Sequence, residues 1–211
     1  MNPRRIPFRL AAVLLLPLIC VLALTGCLSK PALNHQTFSF GKPALTATNS
    51  AAGAPVLGLK RIIVATPFND CSFTYRTGDF SYARDPYAGF LGAPAEELAV
   101  PVRTELCSQG DFSDVVTSEG TLKPDILLDV RVSRLFGDFR QPSGAKAVLT
   151  MQFTFYNASN GVATSRSFQK EYSREIPLKK PTAAALIAGW NQALMEILNE
   201  ALADYRQAKG H

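Results

Sequence analysis

The tetrapeptide Leu24-Thr25-Gly26-Cys27 sets where folding can begin in this 211-residue chain. It closes a two-part leader. Arg4, Arg5 and Arg9 form a basic start, and Leu10 to Leu24 follow as an apolar run of fifteen residues broken once by Pro17. Such a run suits a signal-peptide core and falls short of the roughly 17–25 residues that a spanning helix needs. Small residues ending in cysteine are the pattern of a bacterial lipoprotein signal. The expectation is cleavage between Gly26 and Cys27, with acyl chains attached to Cys27. A single acyl chain anchors only marginally, at about 0.8 kcal/mol per buried CH₂, whereas several chains hold firmly. The second residue of the mature chain is Leu28, not Asp. In lipoproteins of this pattern that implies export to the outer membrane, with the domain on its periplasmic face.

The expected organisation is a signal peptide over 1–26, an acylated tether over 27–34 and one domain over 35–211. Residues 28–34 reach at most about 25 Å. The leader holds three arginines and no acid, so the remainder carries 19 Lys+Arg against 17 Asp+Glu. That near-neutral balance, without a dense basic run, excludes nucleic-acid binding as the main function. Cys20 leaves with the leader and Cys27 is acylated, so Cys71 and Cys107 remain. A pair of cysteines in an oxidising compartment predicts a disulfide, which would stabilise by roughly 4 kcal/mol on a chain-entropy basis. The alternative is two buried free thiols.

The folded part reads as α+β. His35 to Phe40 suits a short strand, and 41–58, rich in Ala, Thr, Gly and Pro, reads as a loop. Arg61 to Phe68 contains the β-branched run Ile62-Ile63-Val64 and ends at Pro67. Phe73 to Tyr82 gives two extended pieces around Gly78. Residues 94–109 place Leu98, Val102 and Leu106 on one helical face. Pro101 is tolerated there if the helix starts near Leu98 and otherwise kinks it. Phe112 to Thr117 is a further strand.

Period-two alternation then dominates. Ile126, Leu128, Val130 and Val132 face one way, with Asp129, Arg131 and Ser133 opposite. Leu149, Met151, Phe153 and Phe155 repeat the pattern, and Val162 to Ile176 has the polarity of an edge strand. Gln141-Pro142-Ser143-Gly144 and Asn160-Gly161 supply turns. After Pro181 one apolar stripe runs from Ala183 through Trp190 to Tyr205. The expected fold is a mostly antiparallel sheet with two main helices packed on one face, preceded by the signal peptide.

Catalytic parts are sparse. The two histidines, His35 and His211, fall at the domain's edges. No cysteine–histidine cluster has zinc spacing, and no phosphate-binding glycine motif occurs. Asp125 and Asp129 lie on the expected solvated face of a strand. No cofactor, metal or catalytic residue is expected, which points to a binding or scaffolding protein rather than an enzyme. Phe73, Tyr75, Arg76 and Tyr82 form the candidate partner surface, because Tyr and Arg are enriched at interface hot spots. The alternative is that these rings fill the core.

Several segments recur in a recognisable order. They are the Leu24–Cys27 tetrapeptide; Ile62-Ile63-Val64 with Pro67-Phe68; Phe73-Thr74-Tyr75-Arg76-Thr77; Phe80-Ser81-Tyr82; Phe90-Leu91-Gly92-Ala93-Pro94; Phe112-Ser113-Asp114-Val115-Val116; Ile126 to Val132 with Phe136 and Phe139; and Ala188-Gly189-Trp190. Over residues 60–205 this ordered set resembles the ABC-type transport auxiliary lipoproteins, the family that includes the PqiC-like lipoproteins. Phe90-Leu91 stands where the family usually shows Trp before the helix-opening proline. The resemblance implies a non-enzymatic partner of transport systems that combine an MCE-domain protein with ABC transporter components and move lipids or other hydrophobic molecules between membranes. An assembly lipoprotein for an outer-membrane β-barrel or a lipopolysaccharide-export complex is the competing expectation.

Overall fold

The computed structural model describes residues 35–41, 52–117 and 122–209. The leader, Gly26, Cys27 and the tether lie outside them, as does His211. In chain order come β1 (Gln36–Phe38), β2 (Val56–Leu59), β3 (Ile63–Val64), β4 (Ser72–Arg76), β5 (Tyr82–Phe90), α1 (Pro94–Ser108), β6 (Asp114–Thr117), β7 (Ile126–Asp138), β8 (Lys146–Ser159), β9 (Val162–Pro177) and α2 (Ala183–Lys209). These strands form one curled sheet.

β7 is the spine. One edge pairs antiparallel with β8 along nearly its whole length, and β8 pairs antiparallel with β9. Asn160 and Gly161 turn that second hairpin with φ of 53° and 79°, the left-handed geometry that a type I′ turn requires. The opposite edge of β7 is shared by three short strands, all parallel to it. β2 pairs at Ile126–Leu128, β3 at Arg131–Val132 and β4 at Gly137–Asp138. β6 extends the sheet beside β2, while β5 and then β1 extend it beside β4. The long ladders are thus antiparallel, as expected, and the short ones at the far edge make the sheet mixed.

Val56–Leu59 corrects the loop reading of 41–58 at its C-terminal end. Leu57 and Leu59 are buried, and Gly58 is a packing requirement: a Cβ there would lie 2.7 Å from the Pro124 side chain and 2.8 Å from Leu127. The strand expected over 61–68 shrinks to two residues, because a 3-10 turn at Thr66–Phe68 carries the chain away from β7.

Inside the curl lies one core. Leu128, Val130 and Val132 of β7 meet Leu149, Met151, Phe153 and Phe155 of β8, as the alternation predicts. A bulge changes the pattern. Val132 pairs with Met151 and Arg134 with Thr150, so Ser133 is an extra residue. Beyond it, Leu135 points into the core and Phe136 to the outer face.

α1 begins at Pro94, where the missing N–H costs nothing, with Glu96 and Glu97 in the favourable first turn. Pro101 therefore lies inside the helix and cannot donate to the Glu97 carbonyl. Leu98, Val102 and Leu106 are buried, the face that their spacing predicts.

α2 buries Leu186, Trp190, Leu194, Ile197, Leu198 and Ala201 against β8 and β9. Gly189 permits the close approach, since a Cβ would stand 2.7 Å from that of Ala147. Its outer flank is tied to β9: Lys170 pairs with Asp204 at 2.6 Å, Arg174 with Glu196 at 3.2 Å, and the Tyr172 hydroxyl donates to Asp204.

Trp190 joins the two halves of the sheet to the helix. Its ring stacks on Phe90 (5.4 Å) and meets Phe73 edge-on (5.0 Å), and its indole N–H donates to the Val148 carbonyl at 3.1 Å. Truncating it removes a fully buried ring and orphans that carbonyl. Trp190→Ala is expected to cost about 3–5 kcal/mol in urea unfolding; a loss below about 1 kcal/mol, the scale of a surface substitution, contradicts this packing.

Candidate functional site

The four candidate surface residues straddle the sheet. Phe73 is fully buried between Phe38, Phe90 and Trp190, so its assignment to a partner surface is corrected: it is core. Alternation along β4 puts Tyr75 on the same inner side. There it stacks on Phe139 at 4.6 Å and its hydroxyl donates to Asp85. Burial, and then that bond, push the hydroxyl pKa well above its ordinary range. Arg76 is held at the hairpin turn, donating to the carbonyls of Gly78 (3.2 Å) and Asp79 (2.9 Å). Tyr82, 49% exposed, does lie on the surface.

Tyr82 belongs to a small aromatic cluster on the outer face. Its ring meets Phe68 at 6.1 Å and Phe136 at 5.6 Å, and Phe68 meets Phe136 at 5.6 Å. Three local devices build it: the 3-10 turn presents Pro67 and Phe68, the Ser133 bulge turns Phe136 outward, and β5 delivers Tyr82. Phe68 and Tyr82 of the cluster line a largely apolar groove of about 440 Å³ with Pro67, Thr74, Ala83 and Arg84. Arg84 is ion-paired with Asp70 at the rim. Sequence reasoning missed Phe68 and Phe136 as parts of this site. Pro67 signalled the turn, but nothing local reveals the bulge.

Next to the hairpin turn a polar basin of about 350 Å³ is lined by Asp79, Asp138, Arg140, Gln141, Gly144 and Lys146. Arg140 bridges Asp138 at 2.8 Å and Asp79 at 3.0 Å, while Lys146 pairs with Glu175 at 2.8 Å. The basin's charges are internally matched. It reads as a clamp between the hairpin turn and the end of β7.

Residues with chemical potential elsewhere are dispersed. His35 stands exposed before β1. The Asp125 carboxylate accepts the Val56 N–H at 2.9 Å. Asp129 is corrected from a solvated to a largely buried position: its side chain is 13% exposed, beside Arg131 at 3.6 Å and opposite buried Thr154. The two acids thus form no matched pair facing a pocket.

Cys71 and Cys107 are both free, which corrects the expected disulfide. Cys71 precedes β4 and its carbonyl accepts the Phe90 N–H; Cys107 sits in the last turn of α1, beside Val115 of β6. β4 and β2 share one edge of β7, with Tyr75 beside Gly137 and Leu57, itself beside Val115, at Ile126, about 35 Å apart along the strand; the four residues from Tyr75 back to Cys71 recover at most about 14 Å, which leaves far more than the Cα separation limit of about 7 Å for a bridge.

The frame of these features is a curled sheet covered by two helices, with an apolar groove on its outer face. Over residues 37–201 the chain matches the profile of the family described as ABC-type transport auxiliary lipoprotein component, and it belongs to that family. In fold it is similar to a crystal structure of a Xanthomonas campestris protein of the DUF330 family. The TM-score is 0.63 and the identity 16%, covering 83% of this chain and 94% of that one. A second crystal structure, of an uncharacterized protein, gives a TM-score of 0.55 at 18% identity, covering 79% and 99%. No curated protein matches the sequence.

Two outcomes follow from the local chemistry. Exposed Cys71 is expected to react with maleimide well before Cys107, whose thiol pKa is raised chiefly by burial. Mass spectrometry should find both labelled once the protein is unfolded without reductant; an unlabelled pair under those conditions contradicts the free-thiol assignment. Hydrogen bonds from Arg140 hold the Asp138 carboxyl below its ordinary 3.8. Its contribution is therefore present above about pH 3.8 and lost as pH falls below that value. The urea midpoint of wild type should exceed that of Asp138→Asn near neutrality and converge with it in acid; a gap that stays constant with pH rejects the clamp.

Proposed function

We propose that this protein is an outer-membrane-anchored, non-enzymatic auxiliary lipoprotein of an ABC/MCE-type system that moves lipids or other hydrophobic molecules between membranes. The observation that carries the reading is a domain of the transport-auxiliary family placed directly behind Leu24-Thr25-Gly26-Cys27. In this reading residues 1–26 are removed, Cys27 is acylated, 27–34 tether the domain, and 35–211 form it. Leu28 at the second mature position supports an outer-membrane destination.

The partner surface is the groove of Phe68, Tyr82 and Ala83, with Arg84 at its rim, rather than the wider set that included Phe73. Its apolar lining suits the side chains of an extended or helical segment at the end of an MCE-domain assembly. Aromatic anchors at such a site dominate affinity, while the surrounding contacts chiefly exclude water.

The test is made in cells. A photo-crosslinking residue in place of exposed Ala83 should capture an MCE-domain protein, and Tyr82→Ala should reduce that capture about tenfold, the scale of a lost aromatic hot spot. Cys27→Ser should shift the protein from the membrane to the soluble periplasmic fraction. Capture of an outer-membrane β-barrel in place of the MCE protein transfers the chain to the assembly-lipoprotein reading.

A further inference from the structure

Large exposed apolar side chains are concentrated on the β4–β5 hairpin. Phe80, in its turn, is 99% exposed, Tyr82 49% and Tyr87 55%. Tyr82 has the groove to rest against. Phe80 and Tyr87 have no ring partner among the described residues. Tyr87 is pushed outward by an insertion. Ser72 pairs with Gly89 and Thr74 with Arg84, so two positions of β4 face five of β5, and the excess bulges out. Asp85 braces that bulge by accepting the N–H groups of Tyr87 (2.8 Å) and Ala88 (3.1 Å) and the Tyr75 hydroxyl. A braced protrusion that ends in an exposed ring is a built feature of the surface.

The direction of β1 gives this end of the domain its meaning. β1 runs parallel to β5, with Gln36 beside Ala88 and Phe38 beside Phe90. Run backwards, β1 ends at Gln36 beside Ala88, where its axis points along β5 toward Tyr82 and Phe80. Along the strand axis the Ser72–Thr74 step is about 7 Å, so the turn lies roughly 15–20 Å beyond Gln36. The seven residues between Cys27 and His35 reach at most about 25 Å. An acyl anchor on that tether therefore keeps the bilayer within reach of the hairpin end. The same end carries Lys179 and Lys180, which follow β9 after Leu178, are exposed and make no ion pair among the described residues. The opposite end of the sheet, marked by Val162 in the β8–β9 turn, lies a β7 length away, about 40 Å.

We infer that the β4–β5 hairpin end is a second, non-covalent membrane contact, with Phe80 and Tyr87 seated in the headgroup region of a phospholipid bilayer and Lys179 and Lys180 facing its anionic lipids. The amphipathic ring of a tyrosine settles at that depth, the apolar ring of a phenylalanine buries at the boundary with the acyl chains, and basic side chains beside them gain from the negative surface potential. The contact rests on the Cys27 anchor proposed above, because the tether keeps the bilayer within reach of that end. Its consequence is orientation. An acyl chain alone leaves a domain free to tumble, whereas a second point of contact fixes which face looks into the periplasm.

The test uses the full acylated protein, produced in a host that exports lipoproteins and reconstituted into vesicles of phosphatidylethanolamine in excess over phosphatidylglycerol. The native Trp190 is buried and serves as an internal reference. Phe80→Trp, Tyr87→Trp and Val162→Trp each add one probe at an exposed site. Lipids brominated on their acyl chains should quench the probes at 80 and 87 about threefold more than the probe at 162, as expected for rings at the interface. Equal, weak quenching at all three positions in protein that floats with the vesicles overturns the contact and leaves the anchor intact. A blue shift at 80 that grows with protein-to-lipid ratio, without quenching, assigns the surface to another protein molecule and also overturns it. Failure of the acylated protein to float overturns the anchor and this inference together.

Discussion

One strand with two unlike edges holds this domain together. β7 gives one edge to a long, regular antiparallel ladder and the other to three short parallel strands from residues 56–76. A parallel neighbour contributes little per residue until the chain between has been closed, so such short strands depend on burial for their stability. Leu57, Leu59, Val64 and Phe73 provide it, each anchored in the core that α1 and α2 cover. The long ladder thus positions the helices, and the helices hold the short strands in place. Trp190 makes that dependence concrete, since a single ring touches both Phe73 and Phe90 while its N–H is bonded to β8.

The parts of the fold legible from the sequence are those whose signal is local and repeated. The alternation through β7 and β8, the Asn160-Gly161 turn and the apolar stripe of α2 each repeat one instruction many times. β2 was not legible, because Val56-Leu57-Gly58-Leu59 is too short to show a period and its glycine suggests a loop. Only the facing Pro124 and Leu127 explain that glycine, and they are remote in sequence. The same limit governs the site. Tyr82 was found by residue type, whereas Phe73 was misplaced because β4 is covered on one side and its alternation does not say which. Phe136 needed knowledge of a single extra residue at Ser133. The thiol pair was misread because cysteine count carries no distance.

The surface chemistry divides by face and by end. The outer face offers an apolar groove, the hairpin turn is clamped by Arg76 and Arg140, and the charges nearby are mutually satisfied. Internally matched ion pairs of this kind add little net stability at a surface, yet they fix geometry. A rigid hairpin base is what a projecting aromatic needs if it is to hold one position. In the proposed role this surface offers prepared shape, with its apolar contact concentrated in a few rings.

Among the described residues no strand pairs with the outer side of β9, an edge sixteen residues long. An uncovered strand of that length invites a neighbour to add itself, yet this one alternates Arg166, Lys170, Glu171, Arg174 and Glu175 with small hydroxyls. Any incoming chain would have to strip water from those groups before forming its first bond, and two of them are already committed to the adjoining helix. Crowded lipoproteins on one membrane meet each other constantly; this fence lets them do so without fusing into fibres.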